Sequence, residues 1–217
     1  MNAYNPQIHN RKSIRLKGYD YTRPGMYFIT ICVQNRKCLF GQITNGTFSP
    51  TPAGKMIERW YYQLEHKFPD IKCHEMVVMP NHFHCIIEIT GDGRAGDGAT
   101  NVGADPRVGP GENDPDHKNG GNADPVGGEG EHVGSPHPTG TPLPRVVQWF
   151  KTMTTNEYIR GVKSDSWPRF DGKLWQRDYW DRIIRDEKAY RKISAYIVNN
   201  PSKWESDSLR TGDDIDS

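Results

Sequence analysis

The middle of this chain cannot belong to a packed core. Residues 91–142 hold 14 of the 22 glycines and 7 of the 16 prolines, with almost no large apolar side chains. A segment of that composition buries too little apolar surface to offset the entropy of ordering it. Whatever folds must therefore be assembled from the two flanks. The sequence reads as one discontinuous domain, 1–90 with 143–203, interrupted by a disordered Gly/Pro/Asp-rich insertion at 91–142 and followed by an acidic, flexible tail at 204–217.

Charge divides along the same lines. The insertion has three Lys/Arg against nine acids, a net of −6 in a chain of net +1, which leaves +7 for the remainder. A basic remainder in a chain with 23 aromatic residues suits nucleic acid, and equally suits an ordinary solvated surface. Cys32, Cys38, Cys73 and Cys85 form no CxxC pair, and three of them sit in apolar strand-like runs as small core thiols. With no apolar stretch of about 18 residues and no signal-peptide pattern, the expectation is a soluble, cytoplasmic protein that meets no membrane.

Local patterns supply the elements. Tyr27–Val33 is β-branched and aromatic after Pro24-Gly25, a strand, and a shorter strand follows near Leu39–Ile43. Thr51-Pro52 opens a helix whose apolar positions Ile57, Trp60, Tyr61, Leu64 and Phe68 share a face until Pro69. Two strands, Cys73–Met79 and His82–Ile89, flank Pro80-Asn81. After the insertion the pattern predicts a helix over Leu143–Tyr158 with Gly161 as its stop, a strand at Trp175–Ile184, and a helix capped by Asp186 that runs to about Asn199. The interleaving points to an α+β fold, an antiparallel sheet with helices on one face.

His82-Phe83-His84 is the sharpest local feature. Alternate residues of a strand share a face, so the two imidazoles point one way and Phe83 and Cys85 the other. Such a pair can converge on one divalent metal. On spacing alone, two surface histidines on a half-exposed strand is an equal reading.

The run Val77-Val-Met-Pro-Asn-His-Phe-His-Cys-Ile-Ile87 resembles the signature of the one-tyrosine HUH transposases, in which two histidines flank a hydrophobic residue. Four more blocks resemble the same family, in the same order: Tyr19–Arg36 with Phe40-Gly41, Val147-Gln-Trp-Phe-Lys151, Leu174–Asp181, and Tyr196-Ile-Val-Asn-Asn-Pro201. The likeness is strongest to the branch of REP-associated tyrosine transposases, which act on repetitive extragenic palindromes. It implies an HUH endonuclease fold with a ferredoxin-like or RRM-like sheet. It also implies a bacterial, nucleoid-associated enzyme that cleaves and rejoins single-stranded and hairpin DNA through a 5′-phosphotyrosine. A monomer is expected, with a dimer as the arrangement of insertion-sequence relatives.

The resemblance implies roles for particular residues. Tyr196 is the implied nucleophile, and His82, His84 and Asn200, one helical turn beyond Tyr196, the implied ligands of Mg2+ or Mn2+. Read without it, Tyr196 is better taken as an amphipathic core tyrosine on an ordinary helix, because Ile193 and Ile197 adjoin it. Tyr179 is its rival, although a strand position among aromatics suits packing or a DNA contact. A catalytically inactive binder of structured nucleic acid on the same fold is the alternative function, disfavoured because all four site residues are present.

For the DNA itself, Arg11, Lys12, Arg15 and Lys17 suit phosphates, Tyr19 and Tyr21 suit stacking on unpaired bases, and Lys151 and Arg177 suit further phosphate contacts. The insertion's acidity would repel DNA, and its His117, His132 and His137 are poor ligands. The tail, with five acids and one Arg from Glu205 on, reads as plain disorder or as a competitor for the basic cleft. Deleting residues 1–18 is expected to weaken hairpin affinity and flatten its salt dependence in a binding titration; unchanged binding would rule the basic arm out as a contact.

Overall fold

The apolar run after Pro24 forms β1 (Gly25–Cys32), which sits inside the main sheet with a partner on each side. The computed structural model describes residues 18–91 and 140–210, all within one unit of the chain. Behind β1, β2 (Gly41–Thr44) and β3 (Thr47–Pro50) form a separate hairpin. Its turn is Asn45-Gly46, both at positive φ (52° and 73°), the two-residue geometry whose twist matches paired strands. Where one short strand is expected near Leu39–Ile43 there are two, and the Asn-Gly dipeptide between them is the hairpin signal.

α1 (Pro52–Lys67) begins as its sequence dictates. Thr51 Oγ1 accepts the Gly54 amide at 3.2 Å, and Pro52 takes the first helical position. β4 (Ile71–Met79) and β5 (His82–Ile89) follow as a hairpin through Pro80-Asn81. Next come α2 (Leu143–Ser164), β6 (Trp180–Ile184) and α3 (Glu187–Val198), the last capped by Asp186, whose carboxylate accepts the Ala189 amide at 2.7 Å. The sheet order is β4-β5-β1-β6, with every neighbour antiparallel. With α1 after β1 and α2 after β5, this is the split βαβ arrangement of ferredoxin-like folds, the expected α+β class.

The helices are not all on one face, as the pattern suggested. Phe83 stacks on Phe150 of α2 (5.3 Å) and meets Tyr61 of α1 edge-on (5.5 Å), so these two helices cover the Phe83 side. Ile86 faces the other way and packs with Ile184, Ile193 and Ile197, which puts α3 on the histidine side. β5 is buried on both of its faces, an apolar one (Phe83, Cys85, Ile87, Ile89) and one that carries the histidines with Ile86, and it needs two covering layers. That requirement is visible in its unbroken burial, where only Glu88 is partly exposed.

Three further expectations change in detail. Trp175 makes only an isolated bridge to Val33, and the β1 partner strand starts at Trp180. The carbonyls of Gln176, Arg177 and Asp178 turn instead to the Lys151 ammonium, which breaks the ladder. Residues 204–210 are not a loose tail: Pro201–Ser206 is a 3-10 helix with Trp204 buried, because an indole next to the sheet outweighs the local acidity. Most of the insertion lies outside the described residues, but Thr141, which composition grouped with it, is part of the fold. Its amide and its hydroxyl (2.7 Å) both donate to buried Asp70. Among the described residues, no helix is long and apolar enough to cross a membrane.

Gly161 does not stop α2; the helix runs on to Ser164. A side chain there would collide with Trp167, whose ring lies 2.3 Å from where a Cβ would stand, and the Asp165 and Trp167 amides both return to the Gly161 carbonyl. Its smallness serves close packing. Gly161→Ala should therefore destabilise by ~1–3 kcal/mol through overpacking, against the ~1 kcal/mol gain that helix propensity alone would give. Urea unfolding reads the sign, and a stabilised variant would refute the steric account.

Candidate active site

Register brings the histidines to their place. Cys32 pairs with His82 and Thr30 with His84 across β1–β5, so both imidazoles rise from the sheet toward α3. Their ring centroids are 4.6 Å apart, and neither side chain is more than 2% exposed. Phe28 stacks on His84 at 5.3 Å and holds its plane.

Each ring is oriented through its far nitrogen. His82 Nδ1 lies 2.7 Å from Asn81 Oδ1. Asn81 Nδ2 donates to the carbonyls of Arg36 (3.2 Å) and Leu209 (2.9 Å), which fixes the amide with its oxygen toward His82. The Nδ1 proton of His82 is thereby assigned, and Nε2 is left as a lone pair. His84 Nδ1 shares a 2.7 Å hydrogen bond with Thr30 Oγ1, a hydroxyl able to donate or to accept, and its Nε2 is the nitrogen on the Tyr196 side. Partners of this kind on the distal nitrogen are what fix a ligating imidazole. Burial pushes His84 down to about 3, and burial with the charges of His84 and Arg36 holds His82 well below the usual histidine range. Both rings are neutral at ordinary pH.

α3 supplies the rest. Ile193 and Ile197 seat the helix on the sheet, and Tyr196, 41% exposed, brings its hydroxyl to 3.4 Å from His84 Nε2. Phe28 meets the Tyr196 ring edge-on at 6.0 Å. Partial burial raises the phenol above its ordinary value and Asp207 adds to the rise, while the Asn200 amide works against both. Asn200 follows one turn later, 2% exposed, with Oδ1 lacking any hydrogen-bond partner; His82 Nε2 is equally unpartnered. Two buried acceptors without a donor beside a half-exposed phenol fit a cation seat. Among the described residues no ready-made group of three His, Cys, Asp or Glu side chains surrounds a metal position, and the Asn200 amide oxygen adds a donor of another kind to the two imidazoles.

The expected DNA contacts fare differently. Lys151 is only 8% exposed and its ammonium donates to three backbone carbonyls, at 3.0, 3.2 and 3.3 Å, so a phosphate role is replaced by a structural one. Tyr21 is buried, its hydroxyl donating to Asp181 at 2.6 Å and its ring against Tyr19 and Tyr27, which removes it as a stacking platform. Tyr19 is half-buried and Arg177 exposed. Arg11, Lys12, Arg15 and Lys17 lie outside the described residues. Tyr179, the rival nucleophile, is buried beneath the Lys151 ammonium, 5.5 Å from its ring centre. Sequence reasoning missed Asn81, Thr30 and Asp207; the first two were findable as the residue before His82 and the cross-strand partner of His84.

An uncharacterized protein of Haemophilus influenzae is 36% identical over 209 residues, 95% of this chain and 96% of its own length. The chain belongs to the family of that protein. No family model matches the chain. Among solved structures, a REP-associated tyrosine transposase bound to a REP hairpin aligns over 94% of this chain and 74% of its own, with TM-score 0.45 and 17% identity. A transposase candidate of Deinococcus radiodurans aligns over 85% of this chain and 97% of its own, with TM-score 0.40 and 13% identity.

Asn81 joins the histidine strand to two distant carbonyls, so its loss leaves several buried groups unpaired. Asn81→Ala should lower stability by ~1–3 kcal/mol, read as a reduced urea midpoint at unchanged slope; a wild-type midpoint would show that these bonds contribute nothing.

Proposed function

We propose that this chain cuts and rejoins single-stranded, hairpin-bearing DNA through a tyrosine–DNA intermediate, as a transposase of the one-tyrosine HUH type. The observation that carries the reading is the Tyr196 hydroxyl, half-exposed, 3.4 Å from the Nε2 of His84 and within hydrogen-bond reach of the Asn200 side chain, with His82 Nε2 and Asn200 Oδ1 both buried and unpartnered. The ordered motif blocks support it independently, and they alone point to hairpin DNA.

The reaction needs a phenol in line with a phosphodiester. Tyr196 Oη attacks phosphorus, its proton leaving to solvent; an O–P bond forms to the 5′-phosphate as the bond to the 3′ oxygen breaks, and the 3′ oxygen takes up a proton. Rejoining is the reverse, a 3′-hydroxyl displacing the tyrosine. His82, His84 and Asn200 would hold Mg2+ or Mn2+, which when bound supplies positive charge against the non-bridging oxygens. The neutrality of both imidazoles keeps their lone pairs available, and the Phe28 stack and the α3 anchor hold Tyr196 near the pair. Exposure of the phenol on the open side leaves room for a strand to reach it.

Incubating the full chain with Mn2+ and a single-stranded hairpin oligonucleotide from its own genomic flanks should give a covalent protein–DNA adduct. The adduct should vanish with EDTA and in Tyr196→Phe, while hairpin binding by that variant stays within about twofold of wild type. Full cleavage by Tyr196→Phe would move the nucleophile elsewhere, and no adduct with any flank would favour a non-catalytic binder.

A further inference from the structure

We infer that Asp207 is the anionic donor of the cation site, carried there by the segment that follows the last helix. The inference rests on the reading of His82, His84 and Asn200 as a cation seat, and adds to it a residue that neither the motif blocks nor the spacing singled out.

The segment is fixed at three points. Trp204 is buried with its ring 6.1 Å from that of His82, the Asp207 amide donates to the Trp204 carbonyl at 3.1 Å, and the Leu209 carbonyl accepts from Asn81 Nδ2 (2.9 Å) and the Arg36 guanidinium (3.1 Å). Within this frame the two carboxylate oxygens of Asp207 part company. Oδ1 accepts the Leu209 amide at 2.7 Å, a local turn that fixes the side chain. Oδ2 faces Nε2 of His82 at 3.7 Å.

That contact is not a hydrogen bond, being too long for one. For the neutral ring it is also not between a donor and an acceptor, because the single His82 proton is on the other nitrogen, facing Asn81. Two lone pairs therefore look at each other across a nearly dry gap, the Asp207 side chain being 7% exposed. Among the described residues no Lys or Arg pairs with this carboxylate; His82 is the one basic side chain within ion-pair range. Lone pairs so placed repel unless a cation lies between them. The 3.7 Å gap is shorter than two metal–ligand bonds of ~2.1 Å laid end to end, so both atoms can reach one ion.

Charge argues the same way. Two neutral imidazoles and an amide bring no formal charge to a divalent ion, and hard ions such as Mg2+ and Mn2+ favour carboxylate oxygen. Asp207 supplies the missing negative charge. The segment 204–210 is then part of the site, neither a spare tail nor a competitor for DNA.

The test is Mn2+ titration of the full-length protein, followed by the EPR signal of the free ion, for wild type, His82→Ala, Asp207→Asn and Asp207→Glu. Asp207→Asn keeps the shape and an oxygen for the Leu209 amide, so the segment should stay seated. Its Mn2+ affinity should fall at least tenfold, Asp207→Glu should recover part of that loss, and His82→Ala should fall further. Wild-type affinity in Asp207→Asn, with binding lost in His82→Ala, would overturn the role of Asp207 and leave the cation seat standing. No Mn2+ binding by wild type would overturn the seat itself, and this inference with it.

Discussion

The site depends on the register of one strand pair. Because side chains alternate along a strand, a slip of one residue between β1 and β5 would send His82 and His84 into the helix-packed core and bring Phe83 and Cys85 out to α3. Such a slip is resisted from both sides. Phe83 is fixed between Phe150 and Tyr61, and the Tyr61 hydroxyl donates to the Ile86 carbonyl at 2.6 Å. Across the sheet, Thr30 bonds His84 and Ile86 joins the isoleucines of α3. The apolar layer that contributes no chemistry is what aims the polar one.

α3 translates that register into geometry for the phenol. Ile193, Ile197, Tyr196 and Asn200 lie within about two turns, so seating the isoleucines on Ile86 and Ile184 brings Tyr196 over His84, with Asn200 one turn on from it. Helical order persists past Val198, since the Asn200 amide still donates to the Ile197 carbonyl, and this keeps the amide in phase with the tyrosine.

Much of this was legible in the sequence. Alternation put His82 and His84 on one face, Thr51-Pro52 and Asp186 marked two helix starts, and the i, i+4 spacing of Tyr196 and Asn200 placed them together. What escaped did so for physical reasons. The second covering layer rests on Ile86, one isoleucine on the histidine face that packs with isoleucines of β6 and α3, and a single apolar residue among His82, His84 and Glu88 does not announce a buried face. Lys151 and Tyr21 read as surface groups because their partners are distant in the chain, the carbonyls of Gln176, Arg177 and Asp178 for Lys151 and the Asp181 carboxylate for Tyr21. Asp207 sits in an acidic stretch whose composition suggests solvent, and a buried Trp204 three residues earlier reverses that.

Asp70 has a wider consequence. Its carboxylate holds the Thr141 amide and hydroxyl, while its carbonyl takes the Thr90 amide at 2.8 Å. One buried residue thus clasps the chain where it leaves β5 and where it returns to α2. With the two ends closed by the fold itself, the number of residues between them becomes a nearly free variable. For a flexible connection each doubling of length adds only ~0.6 kcal/mol of closure entropy. A connection of another length between these two points would therefore leave the sheet that carries the histidines as it is.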